Sequence, residues 1–395
     1  MKIAYIINTR MPTELAHGHQ VVRMCAAFAV AGSDVILLYP RRRQTSAIEG
    51  RDIFDYYGVP PTFKALVLWN IDTIYWLEAR LPTSCAVWIH AVQSVLWGSR
   101  AAWVAWRAGA EKYYTRDIVI AWWLSVWRIP VIYEEHTMPT PRSRRLLGAL
   151  GRSPSLCLTV TVTGFIRNEL VRIGFMPDKT FVFPDAVDLS LFSALPDRFT
   201  CRKNLALPLD KFLIGYVGRF RVFGGEEKGI PELIEAVSIL ARNYSVVLLL
   251  VGGPTDAVIA YRRHALACGL PVECFRIVGQ VPPFDAPEWM RACDAVVIPW
   301  RFTQFSAYAT SPLKLFEYMA SGTPIVASDL PSLREIVDDK NTIFVQPGNA
   351  KSLANGIARI LEDPSLGRRI AMQALKDIEP YTWKKRAEGI LRALQ

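Results

Sequence analysis

Arg219 and Lys228 bracket the stretch between a strand that ends at Gly218-Arg219 and a helix that opens after Lys228-Gly229, with Pro231 and Glu232 in its first turn. The crevice beyond the carboxyl ends of the strands is where open α/β sheets bind ligands. Two cations there could neutralise a diphosphate leaving group without a metal ion. They could equally be two solvated surface charges. Glu226 and Glu227 add negative charge beside Lys228.

A second cluster lies in SPLKLFEYMASGTPIVASDLPSLRE, Ser311 to Glu335. The pattern reads as a helix with Ser311 as N-cap, Pro312 in a position that tolerates proline, and Gly322 as its stop. The exposed backbone N–H groups of that first turn, around Ser311, Pro312 and Leu313 (the proline itself has none), favour an anion. Leu313, Leu315, Phe316 and Met319 can pack inward, and Glu317 could accept hydrogen bonds from a ribose diol. The plainer reading pairs Glu317 with Lys314 at i−3, an interaction worth only tenths of a kcal/mol. A short strand, Pro324–Ala327, follows, and a second helix opens after Asp329 with Pro331 in its first turn.

His136 follows an apolar strand in VIYEEHTMP, where an imidazole can hold a sugar hydroxyl or steer a leaving group. A lone histidine is more often structural. Glu134 and Glu135 are at hand to orient it. His17 and His19 flank Gly18 after the first strand, and Gly18 would let backbone approach a phosphate or sugar closely, or simply serve a turn. No Ser-His-Asp triad, Walker loop or clustered metal ligands are visible, and Val251-Gly-Gly-Pro is a strand-ending turn rather than a dinucleotide fingerprint.

Strands at Ile3–Ile7 and Asp34–Tyr39, and near Ala86–His90, Pro130–Glu134, Cys157–Val162 and Thr180–Phe183, alternate with helical patterns, the first from about Gly18 to Ala31. The alternation restarts with Phe212–Val217, a helix over Ile230–Asn243, and strands at Val246–Val251, Arg276–Val278, Ala295–Ile298 and Pro324–Ala327. Such a pattern predicts an α/β protein with parallel sheets covered by helices. The boundary falls near residues 190–210, giving domains 1–195 and 196–379. An amphipathic helix spans Tyr381 to Gln395.

The 395 residues suffice for two domains, and 51% hydrophobic residues permit a sizeable core. Seven scattered cysteines without a Cys-x-x-Cys pair indicate neither a zinc site nor a disulfide framework, so a reduced, cytosolic protein is expected. The apolar run at the start is too short for a signal peptide. Ile118–Trp127 is about half of what a bilayer span needs. The net charge is +10, and residues 1–195 hold 21 basic against 15 acidic residues. Nine of the twelve tryptophans lie between Trp69 and Trp127. These fill a core and an apolar acceptor cleft, or they touch an anionic membrane surface. The basic clusters are short and no nucleic-acid motif occurs.

Together these segments resemble the family 4 glycosyltransferases of the GT-B fold. The likeness rests on AHGHQVVRMCAAFAVAGSDVILLYP, YYTRD, PVIYEEHTMP and FPDAVDLSLF in the first half. In the second it rests on GYVGRF, EKGIPELIEA, LLLVGG, VGQVPP, CDAVVIPW and the Ser311–Val337 segment. The resemblance implies two Rossmann-like domains facing each other across a cleft, the C-terminal helix (380–395) crossing back to the first. It implies retaining, metal-independent transfer of a sugar from a nucleoside-diphosphate donor, a UDP or GDP sugar, to a glycan or lipid-linked acceptor, with no cofactor. It places Arg219 and Lys228 on the diphosphate, Glu317 on the ribose, the turn at Gly279–Val281 on the base, Gly18 by the donor phosphates and His136 by the transferred sugar.

One departure stands out. The family motif has two glutamates separated by seven residues, and Ala309 occupies the first position. Sugar reading then passes to neighbours such as Gln304, Ser306 or Tyr308, or to loop backbone. Otherwise the chain is a nucleotide-sugar-binding partner without activity. An epimerase of similar shape is a third, weaker reading.

Overall fold

A computed structural model describes residues 1–44, 48–70, 83–221 and 227–395. Contacts divide the chain into two compact units, Met1–Asp185 with Trp383–Gln395, and Ala186–Thr382. The division falls at 185/186 and 382/383 rather than at 195/196 and 379/380. The reason is local: Val187 bridges Thr382, its N–H donates to Tyr381 O at 3.0 Å, and Phe192 packs into the second core.

In the first domain the strands are β1 (Lys2–Ile6), β2 (Asp34–Pro40), β3 (Lys64–Leu68), β4 (Lys112–Thr115), β5 (Val131–Glu135), β6 (Leu156–Thr161) and β7 (Thr180–Val182). They form one parallel sheet in the order β3-β2-β1-β4-β5-β6-β7. The second domain contributes β8 (Phe212–Val217), β9 (Val246–Val251), β10 (Phe275–Val278), β11 (Ala295–Ile298), β12 (Ile325–Ser328) and β13 (Ile343–Val345). These pair in parallel as β10-β9-β8-β11-β12-β13. Each sheet reverses its winding once, between β1 and β4 and between β8 and β11. Those are the switch points at which such sheets take ligands.

Strands β8, β9 and β11 are buried on both faces, so they read as nearly unbroken apolar runs. Along β8, Leu213 and Val217 enter one core while Ile214 and Tyr216 enter the other. Gly215 has no alternative, because a Cβ there would lie 2.3 Å from Cys293 Sγ.

Three expectations change. Ala86–His90 is not a strand but part of a 25-residue helix, Thr83–Arg107. Its buried residues Gln93, Ser94, Trp97, Ala101, Ala102 and Ala105 recur at helical spacing. Strands β4 and β13, of four and three residues, are too short to stand out, and the edge strand β3 is largely exposed. The helix in the 311–322 segment is Leu313–Ser321, with Pro312 rather than Ser311 at the N-cap position and no side-chain cap. Gly322 does end it, at φ 68°. Ile118–Val126 is a helix capped by Asp117, and among the described residues no helix is long and apolar enough to cross a membrane.

The first-domain tryptophans do not all fill a core. Trp97 is buried, but Trp69, Trp88, Trp103, Trp106 and Trp127 are exposed. Trp76 lies outside the described residues.

Candidate functional site

In the first domain, the ends of β1, β4 and β5 gather around Glu134, which is fully buried. Its Oε1 accepts from Gln20 Nε2 at 2.9 Å, Arg386 Nη2 at 2.7 Å and His136 Nε2 at 2.6 Å. Its Oε2 accepts from the Tyr114 hydroxyl at 2.5 Å. Burial alone would raise this carboxyl, but Arg386, then His136 and Arg116, outweigh it and hold it well below the usual range. Arg386 comes from the C-terminal helix Trp383–Ala393 and also donates to the Phe183 and Pro184 carbonyls. Asp185 runs the other way, pushed up by burial despite His136 and Arg386 nearby.

Of the two carboxylates beside His136, Glu134 takes the ring. Glu135 holds the backbone, accepting from the His136 and Thr137 N–H groups at 3.0 and 2.9 Å. With Nε2 engaged by the carboxylate, Nδ1 is the ring nitrogen left to meet another polar group.

His17 Nε2 is sealed from solvent without a hydrogen-bond partner. Burial first, then Arg116, His136 and Arg10, push this imidazole down to about 4. Between about pH 6.5 and 4 the unfolded chain therefore binds a proton at His17 that the folded chain refuses. Stability from this group is complete above pH 6.5 and is lost as pH falls toward 4. His17→Gln should flatten the acid limb of a stability–pH curve over that window, and an unchanged limb would contradict this origin.

At Gly18 the packing itself requires the absence of a side chain. A Cβ there would lie 2.2 Å from the Tyr57 hydroxyl oxygen and 2.5 Å from Thr13 Cγ2, and its N–H is spent on Leu15 O at 3.1 Å. It sits inside the helix Ala16–Val30. His19 faces the Tyr57 ring edge-on.

The second cluster surrounds Gly218, at the carboxyl end of β8. Gly218 holds φ 132°, a conformation that excludes most side chains. Arg219 follows it, half-buried, its carbonyl accepting from the Tyr216 hydroxyl at 2.7 Å. Lys228 rejoins the turn through its N–H to Phe220 O at 3.1 Å, and its Nζ stands over the Trp300 ring, 5.5 Å from the centroid. Burial and then the Arg219 charge push the Lys228 ammonium down to about 8. Gly229 must lack a side chain, because at φ 75° a Cβ would come within 1.7 Å of Pro299 O. That close approach brings the helix Ile230–Leu240 against the end of β11, at the switch point.

The helix Leu313–Ser321 is tied to the same strand end. Tyr318 Oη accepts from Val217 N at 2.9 Å and donates to Val217 O at 3.3 Å. Glu317 is half-buried on that helix. Lys314 does not donate a hydrogen bond to it: its Nζ has no hydrogen-bond partner and lies over the Tyr216 ring. Glu226 lies outside the described residues, while Glu227 is engaged by Arg221 and the Tyr261 hydroxyl. Val281, in the loop after β10, is partly buried against the core.

Ala309 is 2% exposed. In the short helix before it, Gln304–Tyr308, Ser306 closes a capping box with Thr303 and donates to Arg301 O at 2.7 Å. Its hydroxyl is thereby committed to the loop. Gln304 is exposed, and Tyr308 meets Phe302 edge-on. Sequence spacing also gave no sign of a group on the second domain's helices. There Glu235, His264 and Cys268 bring ligand-type atoms within 4.8 Å of one another.

Residues 211–363 match the family model described as glycosyl transferases group 1. A D-inositol 3-phosphate glycosyltransferase of Xylanimonas cellulosilytica is 28% identical over 307 residues, 69% of this chain and 68% of that protein. Its namesake from Streptomyces bingchenggensis is 27% identical over 340 residues, 78% of this chain and 70% of that protein. Among solved structures, sucrose-phosphate synthase from Thermosynechococcus elongatus superposes with a TM-score of 0.76 at 19% identity, covering 99% of this chain and 97% of that one. Anabaena HepE in complex with UDP gives 0.71 at 19% identity, covering 100% and 99%. At such identities the solved structures speak to the fold alone, two Rossmann-like domains of the GT-B class.

Proposed function

Because the chain carries a group 1 glycosyl transferase domain in a GT-B fold, we propose that it moves a sugar from a nucleoside-diphosphate donor to a glycan or lipid-linked acceptor, with retention and without a metal ion. The observation that carries this reading is the placing of Arg219 and Lys228 beside Gly218 at the β8/β11 switch point. They supply the counter-charge that a departing diphosphate requires. Glu317 takes the ribose, the turn at Gly279–Val281 takes the base, and the start of the helix Leu313–Ser321 adds backbone N–H donors from Ser311 and Leu313, with Pro312 shaping the approach. In the first domain, His136, held by Glu134, binds a sugar hydroxyl through Nδ1. Gln304, Tyr308 and loop backbone read the sugar where Ala309 offers no carboxylate.

The test is a panel of UDP-, GDP- and ADP-sugars. The matching donor should raise the melting temperature, since a ligand that binds only the folded state stabilises it by mass action. It should also release nucleoside diphosphate in the presence of EDTA. No shift with any donor would defeat the reading.

The buried Ala309 favours a second reading, a nucleotide-sugar-binding partner without activity. Donor binding without transfer or slow donor hydrolysis would select it.

The proposed setting is cytoplasmic, at the inner face of the cell membrane, in synthesis of a surface polysaccharide or glycolipid. The exposed apolar side of the helix Thr83–Arg107 supports membrane contact. Trp88, Val92, Leu96, Trp103 and Trp106 are all more than half exposed, and Arg107 lies over the Trp103 ring at 5.0 Å. Aromatic and cationic side chains share membrane interfaces in this way. Sedimentation with anionic vesicles should show binding that weakens as salt rises. Binding at low salt that survives in the Trp103→Ala/Trp106→Ala variant would exclude this face.

A further inference from the structure

Lys314 is the second residue of the helix Leu313–Ser321 and is only 7% exposed. Its Nζ is sealed from solvent and has no hydrogen-bond partner. It rests 3.5 Å from the centroid of the Tyr216 ring. A Cβ on Gly218 would lie 3.1 Å from it. The amine therefore packs against the turn that carries Arg219, in space that a side chain at Gly218 would crowd.

A lysine buried without an anion is costly to charge. Burial and the Lys228 charge both disfavour the ammonium, while Glu317, one turn along the same helix, favours it. Tyr216 on β8 offers only its ring face, and the Tyr318 hydroxyl is engaged by the Val217 backbone. An apolar side chain of equal length would fill this space with no such cost. What would compensate the charge is an anion on the Gly218 turn, beside Arg219 and Lys228.

On the donor reading given above, we propose that Lys314 is a buried third cation for the diphosphate, and that nucleotide binding is coupled to proton uptake. When the anion enters, the neutral amine takes one proton from solvent and becomes an ammonium. When the nucleotide leaves, the proton returns to solvent. No other bond is made or broken.

Calorimetric titration of UDP, GDP and ADP into the full chain at pH 7, in two buffers of different ionisation enthalpy, reads the proton count directly. The unsubstituted protein should take up about one more proton per nucleotide bound than Lys314→Met. Lys228 and the nucleotide itself also titrate, so the difference between the two proteins is the measurement. Lys314→Met should bind about 10- to 100-fold more weakly, the loss of one charge-assisted contact. Its melting temperature should not fall, which separates lost binding from lost folding. Equal affinity and equal proton uptake in the two proteins would overturn the Lys314 role and leave the donor site standing. If none of the three nucleotides bound the unsubstituted protein, the donor reading itself would fail, and this proposal with it.

Discussion

Alanine at both Arg219 and Lys228 should lower kcat/KM for sugar transfer by at least about 10³-fold while leaving the folded domain intact. The loss should appear mainly in kcat, because the charge these cations meet is largest as the diphosphate departs. Folding should be spared for an electrostatic reason. The Lys228 ammonium is already disfavoured by burial and by Arg219, so removing both relieves a repulsion rather than breaking an ion pair. A pH dependence follows with a definite sign. Lys228 loses its proton as pH rises through about 8, so nucleotide affinity should weaken above that value. Steady-state kinetics of the double variant with the matching donor check the first statement, and unchanged turnover would sink the assignment.

The second large effect belongs to Arg386. Replacing it with methionine should destabilise the first domain by about 3–5 kcal/mol, since one partner of a buried pair is left behind uncompensated. The Glu134 and Arg386 side chains are 0% and 3% exposed. Three hydrogen bonds from Arg386 to the Phe183 and Pro184 carbonyls go as well. Because Arg386 helps hold the Glu134 carboxyl well below its unfolded value, the pair's stability is present above the ordinary carboxylate range and lost as pH falls through the lowered folded value. Without Arg386 that acid loss should begin at higher pH. Hydrogen exchange of the β5 amides in the full chain measures the effect for this domain alone. Protection within about 1 kcal/mol of the unsubstituted protein would refute it. Glu134→Gln/Arg386→Met should recover part of the loss, as expected for a directly coupled pair.

Legibility in the sequence followed the physics of each feature. Strands such as β8 and β9 are buried on both faces and announce themselves as nearly unbroken apolar runs. The stretch 86–90 looks the same over five residues and is helical over twenty-five, because a short apolar run does not reveal its period. Arg219 and His136 stood out because they follow strand ends, and Lys228 because it precedes a helix start, positions that carry chemistry in this class of fold. Arg116 also follows a strand end, yet no role was read for it. It donates to Gln20 Oε1 at 2.9 Å and acts on His17 and Glu134. Arg386 was silent, since its partner lies 252 residues away and nothing local marks it. The burial of Lys314 was not legible either: the plainer reading made it only a helix neighbour of Glu317 at i−3, and its Nζ lies instead over the Tyr216 ring. A helix packed on most sides buries even its second residue, and amphipathic reasoning does not anticipate that. Gly18 shows a demand that spacing does not reveal: packing against the Tyr57 hydroxyl already requires a glycine there.

The origin of Arg386 in the last helix has a consequence for biosynthesis. Glu134 leaves the ribosome with its tyrosine, glutamine and histidine partners nearby, but its guanidinium arrives about 250 residues later. At roughly 5–20 residues per second, that delay is on the order of 10–50 s. Throughout it the whole second domain, Ala186–Thr382, is made and can fold. The domain that emerges first is thus completed last, and a nascent chain stalled before Trp383 carries a finished second domain and a first domain whose central carboxylate is still unmatched.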